Sequence, residues 1–351
     1  MNTSELLRIR LYNQLLTGHE FDEPHEIVSW MGAMQSQSLE LAKWAIGARL
    51  GEKTVKNVEE ALNTGKIIRT HILRPTWHFV SCEDIHWMFD LSIPRLKPTY
   101  LSYCKMLGAD DSVISRGVSM VEKSLSGGKH LTKQEIGTIL QQEKITADTR
   151  MLTLIISMAE MEGILCNGQL RGNKQTFTSF VEWVPRKLSI QKEEALERLA
   201  RTFFTSHGPA TIQDFTWWSG LTLTECKQAL EMIKNDFVSE TTNGRVFWMK
   251  NDIKTPATDE VSALLLPPFD EFVVSYKDRS EMIDETHYGK VMTKNGLFSP
   301  TIMLNGEIIG SWKKTMKKGA PQIELSFFEK MPQKIQVLFE PEVKRLEKFY
   351  L

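Results

Sequence analysis

The sequence predicts an α+β fold in which three tandem winged helix-turn-helix units precede a β-rich C-terminal region that forms a partly closed barrel. Two observations support this. Segments with helical spacing of apolar residues come in groups, and each group is followed by two short β-rich segments joined by a polar turn. After about residue 259, Val-, Leu- and Phe-rich segments replace the helical spacing. The expected domains are residues 1–110, 111–190, 191–258 and 259–351. The alternative is a generic α+β protein whose helices and hairpins alternate by chance.

The first predicted unit contains helices followed by a pair of strands. Pro24 suits the first turn of a helix, because the N–H group that proline lacks would have no helical partner there. Ser38 is a candidate N-cap for the next helix. The predicted helices cover residues 6–16, 24–34, 39–50 and 58–62, and the strands lie within 67–80.

The second and third units repeat this order. Thr132 and Glu135 form a capping box at a helix start, and Asn243-Gly244 is typical of a β-hairpin turn. The predicted helices are 114–125, 133–141, 151–161, 194–206, 212–219 and 224–233, and the strands are 164–166, 175–177, 237–238 and 246–248. Helices followed by a hairpin are the pattern of a winged helix-turn-helix.

The C-terminal region is predicted to be mainly β-structure. Asn305-Gly306 is a second hairpin turn. The β-rich segments are 261–276, 302–304, 308–309 and 323–328, and a helix covers 340–350. These segments are compatible with a small partly closed barrel, but they do not fix its topology. Asp270 and Arg279 are expected to pair with each other and hold the barrel.

Composition excludes several classes of protein. The chain has 351 residues, of which 41% are hydrophobic and 25% charged, as in a soluble globular protein of several modules. No apolar run approaches the roughly 20 residues needed to span a bilayer, and no secretory leader is recognisable, so we expect a cytoplasmic protein without a membrane partner. The 4 cysteines are far apart in the sequence, which argues against a disulfide framework or a zinc site.

Common catalytic motifs are also missing from the sequence. It contains no phosphate-binding loop of the Walker type, no G-x-S-x-G nucleophile elbow and no H-E-x-x-H motif. The 8 histidines show no spacing typical of metal ligands. The sequence therefore predicts neither a metal nor a cofactor.

A net charge of −1 means that any nucleic-acid surface must concentrate its cations on one face. Basic residues on the predicted wings and in one basic run are the candidates for DNA contacts, with solvated loops as the alternative. Trp77, which alternates with the polar side of the first wing, is expected in the core. The candidates are Arg69, Arg74 and His78 in the first wing, Arg171 and Lys174 in the second, and Lys313, Lys314 and Lys317 in the run 313–319, which we expect to be a turn.

Gln35-Ser36-Gln37 is the clearest candidate for chemistry. In an extended or turn conformation, side chains two residues apart point the same way, so Gln35 and Gln37 are able to converge on one water molecule or one ligand atom. The alternative is that the glutamines only cap backbone groups near the start of a helix. Glu40, in the first turn of that helix, suits the helix dipole, or else supplies the base that amides cannot.

The combination of these features resembles the AlkZ/YcaQ-like family of bacterial DNA glycosylases. The resemblance spans nearly the whole chain through short motifs. They are Gln35-Ser36-Gln37, 73–80 (LRPTWHFV), 208–211 (GPAT) with Asp214 and Trp218, and 265–272 (LLPPFDEF). The resemblance implies that Gln35 and Gln37 are the catalytic pair. The family prefers a small aliphatic residue at the middle position, where this chain has Ser36, and the second Gln distinguishes its branch from the one with Asp.

The resemblance thus implies a monomeric DNA glycosylase that acts on double-stranded DNA, removing alkylated bases and extending to crosslinked ones. Two other functions remain open on the residues alone. One is a winged-helix transcriptional regulator without catalysis, although no heptad repeat for dimerisation is visible. The other is a protein-interaction scaffold.

Overall fold

The structure is a computed structural model that describes residues 1–18, 21–145, 147–251, 261–317 and 319–351. By its contacts, the chain forms two compact units. The first comprises Met1–Val58 with Leu196–Leu351, and the second is Glu59–Ala195. The expected boundary at residues 258 and 259 lies outside the described residues, and the division into four domains stays a prediction. Among the described residues, no helix combines the length and apolar character required to cross a bilayer.

The N-terminal part of the first unit places a short strand between two helices. Helix α2 ends at Met31, three residues earlier than expected, because Gly32 has a φ of 76° and the chain then becomes extended. Ser38 is the N-cap of α3, as predicted. The elements are α1 (Thr3–Asn13), α2 (Pro24–Met31), β1 (Ala33–Gln35), α3 (Leu39–Gly47) and α4 (Val55–Asn63), the last of which runs into the second unit.

The helices of the second unit pack their apolar faces together and form its core. Val121, Leu125 and Ile155 are fully buried there. The capping box of Thr132 and Glu135 is present as predicted. The elements are β2 (Ile67–His71), β3 (Trp77–Ser81), α5 (Ile85–Met106), α6 (Asp111–Leu125), β4 (Leu131–Thr132), α7 (Lys133–Gln142), α8 (Thr149–Met161), β5 (Leu165–Asn167), β6 (Thr176–Ser179) and α9 (Phe180–Trp183).

Two antiparallel arrangements of strands are described in this unit. Strands β2 and β3 pair from Ile67 with Ser81 to His71 with Trp77, which confirms the first predicted hairpin. Strands β4, β6 and β5 form a small sheet in that order. Helix α5 was not predicted from the sequence, and it contains Pro94 and Pro98.

The chain returns to the first unit with three helices and a hairpin. The Asn243-Gly244 turn has positive φ values of 50° and 73°, which Asn and Gly tolerate best, so the predicted hairpin is confirmed. The elements are α10 (Lys192–Ser206), α11 (Ile212–Ser219), α12 (Leu223–Ile233), β7 (Phe237–Thr242) and β8 (Arg245–Lys250).

The C-terminal region forms an open sheet, and the expected partly closed barrel is wrong. Its four strands are antiparallel in the order β12-β11-β10-β9, so within the described residues β9 and β12 are the two edges. Helix α16 packs against β9 and β12, and its Leu346 and Phe349 are buried. A helix therefore covers the sheet, which in a barrel would be closed by pairing of its edge strands. The elements are β9 (Ala263–Leu266), α13 (Glu271–Val274), α14 (Tyr288–Val291), β10 (Thr301–Leu304), β11 (Glu307–Lys317), β12 (Ala320–Phe327), α15 (Gln333–Gln336) and α16 (Glu340–Phe349).

Candidate catalytic site around two glutamines

The two predicted catalytic glutamines lie on either side of the point where β1 ends. Gln35 is the last residue of β1 and its exposed fraction is 7%, whereas Gln37 is exposed. Ser36, between them, is fully buried. Gln37 lies in a bend immediately before the N-cap of α3. The extended-then-turn conformation expected for this segment is therefore present, with one glutamine largely covered and the other accessible.

A buried carboxylate contacts the backbone of Gln35. The side chain of Glu271, at the start of α13, is 1% exposed, and its Oε1 accepts a hydrogen bond from the backbone N–H of Gln35 at 2.6 Å. Its Oε2 accepts from Trp218 Nε1 at 3.0 Å and from Ser275 Oγ at 2.5 Å. A carboxylate with donors on both oxygens is held in one orientation, so the end of β1 is fixed by a charge-assisted hydrogen bond.

The neighbouring Asp270 is bound to a buried arginine. Its two carboxylate oxygens accept from Arg49 Nη1 at 2.8 Å and from Nη2 at 2.9 Å, and both side chains are fully buried. We expected Asp270 to pair with Arg279, and this is wrong. The guanidinium of Arg279 donates instead to the carbonyl of Val273 and to Tyr288 Oη, while Asp270, besides binding Arg49, caps α13 by accepting from the backbone N–H of Phe272.

His207 adds a titratable ring to this buried group. Its Nε2 lies 3.8 Å from Glu271 Oε2, and the ring stacks on Phe203 with a centroid distance of 4.9 Å. Burial lowers the pKa of His207 below its ordinary value, and the nearby charge of Glu271 opposes that shift only in part. The ring is therefore neutral near pH 7.

Glu40 has a structural environment. Its carboxylate is 58% exposed and forms an ion pair with Lys314, while its backbone carbonyl accepts from Tyr350 Oη at 3.0 Å. The geometry therefore favours the structural alternative for Glu40.

The first predicted DNA-contacting group is largely buried. Arg69 is 4% exposed and its guanidinium lies 4.3 Å from the centroid of the Trp77 ring. His78 is fully buried, with Nδ1 2.9 Å from the carbonyl oxygen of Thr76. Arg74 is partly exposed. DNA contact by these residues stays a prediction, and the packing gives Arg69 and His78 a role in the hairpin itself.

The second group is exposed. Arg171 and Lys174 close a tight turn through reciprocal backbone hydrogen bonds of 2.9 and 3.2 Å. The guanidinium of Arg171 donates to Glu135 Oε1 at 2.6 Å and to the carbonyl of His130 at 2.7 Å. Lys174 is exposed on the same turn. Contact of these residues with DNA also stays a prediction.

The basic run lies mostly on a strand and not in a turn, because β11 continues to Lys317 and pairs with β12 from Gly310 to Lys317. Lys313 and Lys317 are exposed. Lys314 is 10% exposed, and its Nζ lies 3.6 Å from the centroid of the Tyr350 ring as well as forming the ion pair with Glu40. Lys318 lies outside the described residues. The three lysines named for DNA binding therefore stay predictions, with Lys314 already bound within the protein.

Comparison with known proteins identifies the family. Residues 28–349 match the family described as DNA glycosylase AlkZ-like. The chain belongs to the AlkZ-like family of DNA glycosylases. A Streptomyces sahachiroi protein described as an interstrand DNA cross-link repair glycosylase is 24% identical over 328 residues, which cover 87% of this chain and 85% of that protein. The solved structure of Streptomyces sahachiroi DNA glycosylase AlkZ superposes with a TM-score of 0.78 at 19% identity, covering 99% of this chain and 96% of the other.

Membership in this family confirms the resemblance and the assignment to DNA repair enzymes that act on DNA.

The sequence did not indicate three residues of the buried group around Gln35. Glu271, Trp218 and His207 were not assigned roles, although the first two lie in segments that carry the resemblance. The signal for Glu271 was available, because an acid inside an otherwise apolar stretch needs a buried partner. Within the described residues, no cluster of His, Cys, Asp and Glu is arranged to hold a metal ion.

Proposed function

We propose that this AlkZ-like glycosylase hydrolyses the N-glycosidic bond of alkylated, cationic purines in duplex DNA, and that Gln35 and Gln37 carry the chemistry. The observation that carries the proposal is the conformation of 35–37. A buried carboxylate holds the backbone of Gln35, and Gln37 is exposed one residue before the N-cap of α3.

The chemistry of amides limits the substrates. Cleavage of an N-glycosidic bond proceeds through an oxocarbenium-like sugar. An amide oxygen accepts a hydrogen bond from water and directs its dipole at a cation, but it is not a base. Two glutamines therefore suit a base that is already a good leaving group, such as a purine alkylated at N7, and the enzyme has only to place water and stabilise the developing cation.

We extend the proposal to interstrand crosslinks between such purines. The support is the description of the Streptomyces sahachiroi relative as an interstrand cross-link repair glycosylase. A crosslinked base cannot be fully extruded from the duplex, so the glutamines would have to reach it in place. We also propose that the protein acts as a monomer.

The test is the release of N7-methylguanine from duplex DNA by the full chain. The double variant Gln35→Ala/Gln37→Ala should lose at least about 100-fold in single-turnover rate, since it removes groups that act on the transition state. A matched control is Gln141→Ala/Gln142→Ala, which replaces two exposed glutamines at the end of α7. Release at the wild-type rate by the first variant would refute the mechanism. Unhooking of a crosslinked duplex by the same proteins tests the wider substrate range.

A further inference from the structure

We propose that Glu271 is a positioning residue for Gln35, and that Asp270 and Glu271 together fix both ends of the segment that carries the two glutamines. The inference rests on the proposed function, because it assumes that Gln35 acts at the scissile bond. Glu271 is 1% exposed, so it acts through Gln35 and not on the substrate.

The first end of the segment is held at Gln35. The bond from its backbone N–H to Glu271 Oε1 is 2.6 Å long, and Oε2 is held by Trp218 and Ser275. Since Trp218 and Ser275 hold Oε2 in place, the carboxylate of Glu271 cannot follow a shift of β1. The position of the Gln35 backbone is therefore set by a group outside β1.

The second end is held at Arg49, two residues after α3 ends. Its guanidinium binds both oxygens of Asp270 and also donates to the carbonyl of Gln14 at 2.9 Å. Because Asp270 and Glu271 are adjacent, the first and last residues of the segment from Gln35 to Arg49 are both bound to the same dipeptide. The intervening α3 is a rigid element, and Gln37 at its start is placed relative to both anchors.

Placement matters here more than it would for a charged catalytic group. A neutral amide exerts no long-range attraction on water, so its contribution depends on distance and angle. A displacement of about 1 Å at a reacting group is able to cost about 100-fold in rate. The described donors to Glu271 are a backbone amide, an indole and a hydroxyl, which orient the carboxylate without removing its charge.

The experiment replaces Glu271 with glutamine in the full chain. A glutamine that keeps its carbonyl oxygen toward the backbone N–H of Gln35 must turn its NH₂ group toward the indole N–H of Trp218. Two hydrogen-bond donors then face each other, so the bond that holds Gln35 is weakened. We expect the single-turnover release of N7-methylguanine to fall about 100-fold while duplex affinity is unchanged. The matched control is Ser219→Ala, which removes a buried hydroxyl that donates to the carbonyl of Phe215, and this variant should keep nearly the wild-type rate.

A double-variant cycle separates positioning from a general structural role. Glu271→Gln should cause a smaller loss in a Gln35→Ala background than in the wild-type chain, because only one of the two side chains that the anchored segment positions remains. An equal loss in both backgrounds, or a wild-type rate for Glu271→Gln alone, would overturn the inference. If Gln35→Ala/Gln37→Ala loses activity and Glu271→Gln does not, the proposed function stands and only the inference fails.

Two further outcomes complete the test. If the glutamine double variant keeps its activity, the proposed mechanism is wrong, and the inference fails with it whatever Glu271→Gln shows. If Glu271→Gln does not fold, Glu271→Asp takes its place in the cycle. This variant keeps the charge and withdraws the carboxylate by one methylene from Gln35, so the same loss of rate and the same coupling to Gln35 are expected.

Discussion

Most of the basic residues that the sequence predicted to contact DNA lie on two β-hairpins, and the two hairpins differ in how far these residues are buried. In the hairpin of β2 and β3, Arg69 and His78 are buried, and all five positions of β2 are buried. In the hairpin of β11 and β12, burial alternates over the first half of β11, and Lys313 and Lys317 are exposed. Similar basic residues on similar strands therefore have different surroundings.

The difference shows what alternation along a strand can and cannot indicate. Period-2 spacing tells which side chains share a face, but it does not tell whether the polar face is covered by other elements. Arg69 belongs to a strand with both faces covered, so its charge must be accommodated inside the protein. Lys313 and Lys317 keep their hydration and are available to a phosphate.

The largest expected effect is on stability, from Arg69→Met. Burial lowers the pKa of Arg69 to about 10, an effect that the charge of Glu160 opposes, and the guanidinium donates to Gln175 and stacks on Trp77. Methionine keeps much of the packing but leaves Gln175 without its donor, so the free energy of unfolding should fall by about 2–3 kcal/mol. Urea denaturation measures this.

The same variant also tests the comparison of the two hairpins. If Arg69 serves the fold, the slope of log affinity for duplex DNA against log salt concentration should not change in Arg69→Met. A slope shallower by about 0.9 would mean that Arg69 neutralises a phosphate and that the two hairpins are alike.

The second prediction concerns the exposed hairpin. Lys313→Ala/Lys317→Ala should make the salt slope shallower by about 1.8, because each phosphate that is no longer neutralised lowers it by about 0.9, and the fold should stay intact. Lys314→Ala is the matched control on the same strand, since its ammonium group is bound by Glu40 and lies over Tyr350. It should leave the slope nearly unchanged. Equal effects of all three lysines would contradict the distinction between exposed and bound cations.

The smallest expected effect is a difference in acid sensitivity between the units that contain the two hairpins. In the first unit, burial depresses the pKa of His207 below 6.5, so the neutral ring stabilises the fold above about pH 6.5 and this contribution is lost as the pH falls. In the second, burial alone would raise the pKa of Glu160, but His71 and Thr70 outweigh it and lower the pKa below 4.5. That contribution is present above about pH 4.5 and is lost only at lower pH.

Hydrogen exchange measured from about pH 7 to about pH 4 should therefore show the first unit losing protection before the second. In His207→Phe, which keeps an aromatic ring on Phe203, the loss that begins below about pH 6.5 should be reduced. Simultaneous loss of protection in both units, unchanged by the substitution, would show that His207 does not cause the difference.

Features encoded by neighbouring residues were predictable. The hairpin turns at Asn243-Gly244 and Asn305-Gly306 and the helix Ile212–Ser219 occur where the sequence placed them. Each depends on residues a few positions apart, which act through local backbone geometry. Helix α5 was missed for the opposite reason, because Pro94 and Pro98 each remove a backbone donor and normally indicate a break.

The site was predictable only in its local part. The turn at Gln35-Ser36-Gln37 followed from residue spacing and from the resemblance, but its support did not. Asp270 was assigned to Arg279, nine residues away, whereas its partner Arg49 is 221 residues away in the sequence. No periodicity links such positions, and only the folded chain brings them together.

The pairing of Gln35 with Glu271 has a consequence for how the protein is made. The two residues are 236 positions apart, so the N-terminal helices leave the ribosome long before the carboxylate that fixes β1 exists. Closing so large a loop is slow compared with the formation of local helices and hairpins. The glutamine segment should therefore be among the last parts of the chain to acquire its final geometry, and a chain that ends before residue 270 should fold locally without an ordered Gln35-Ser36-Gln37 turn.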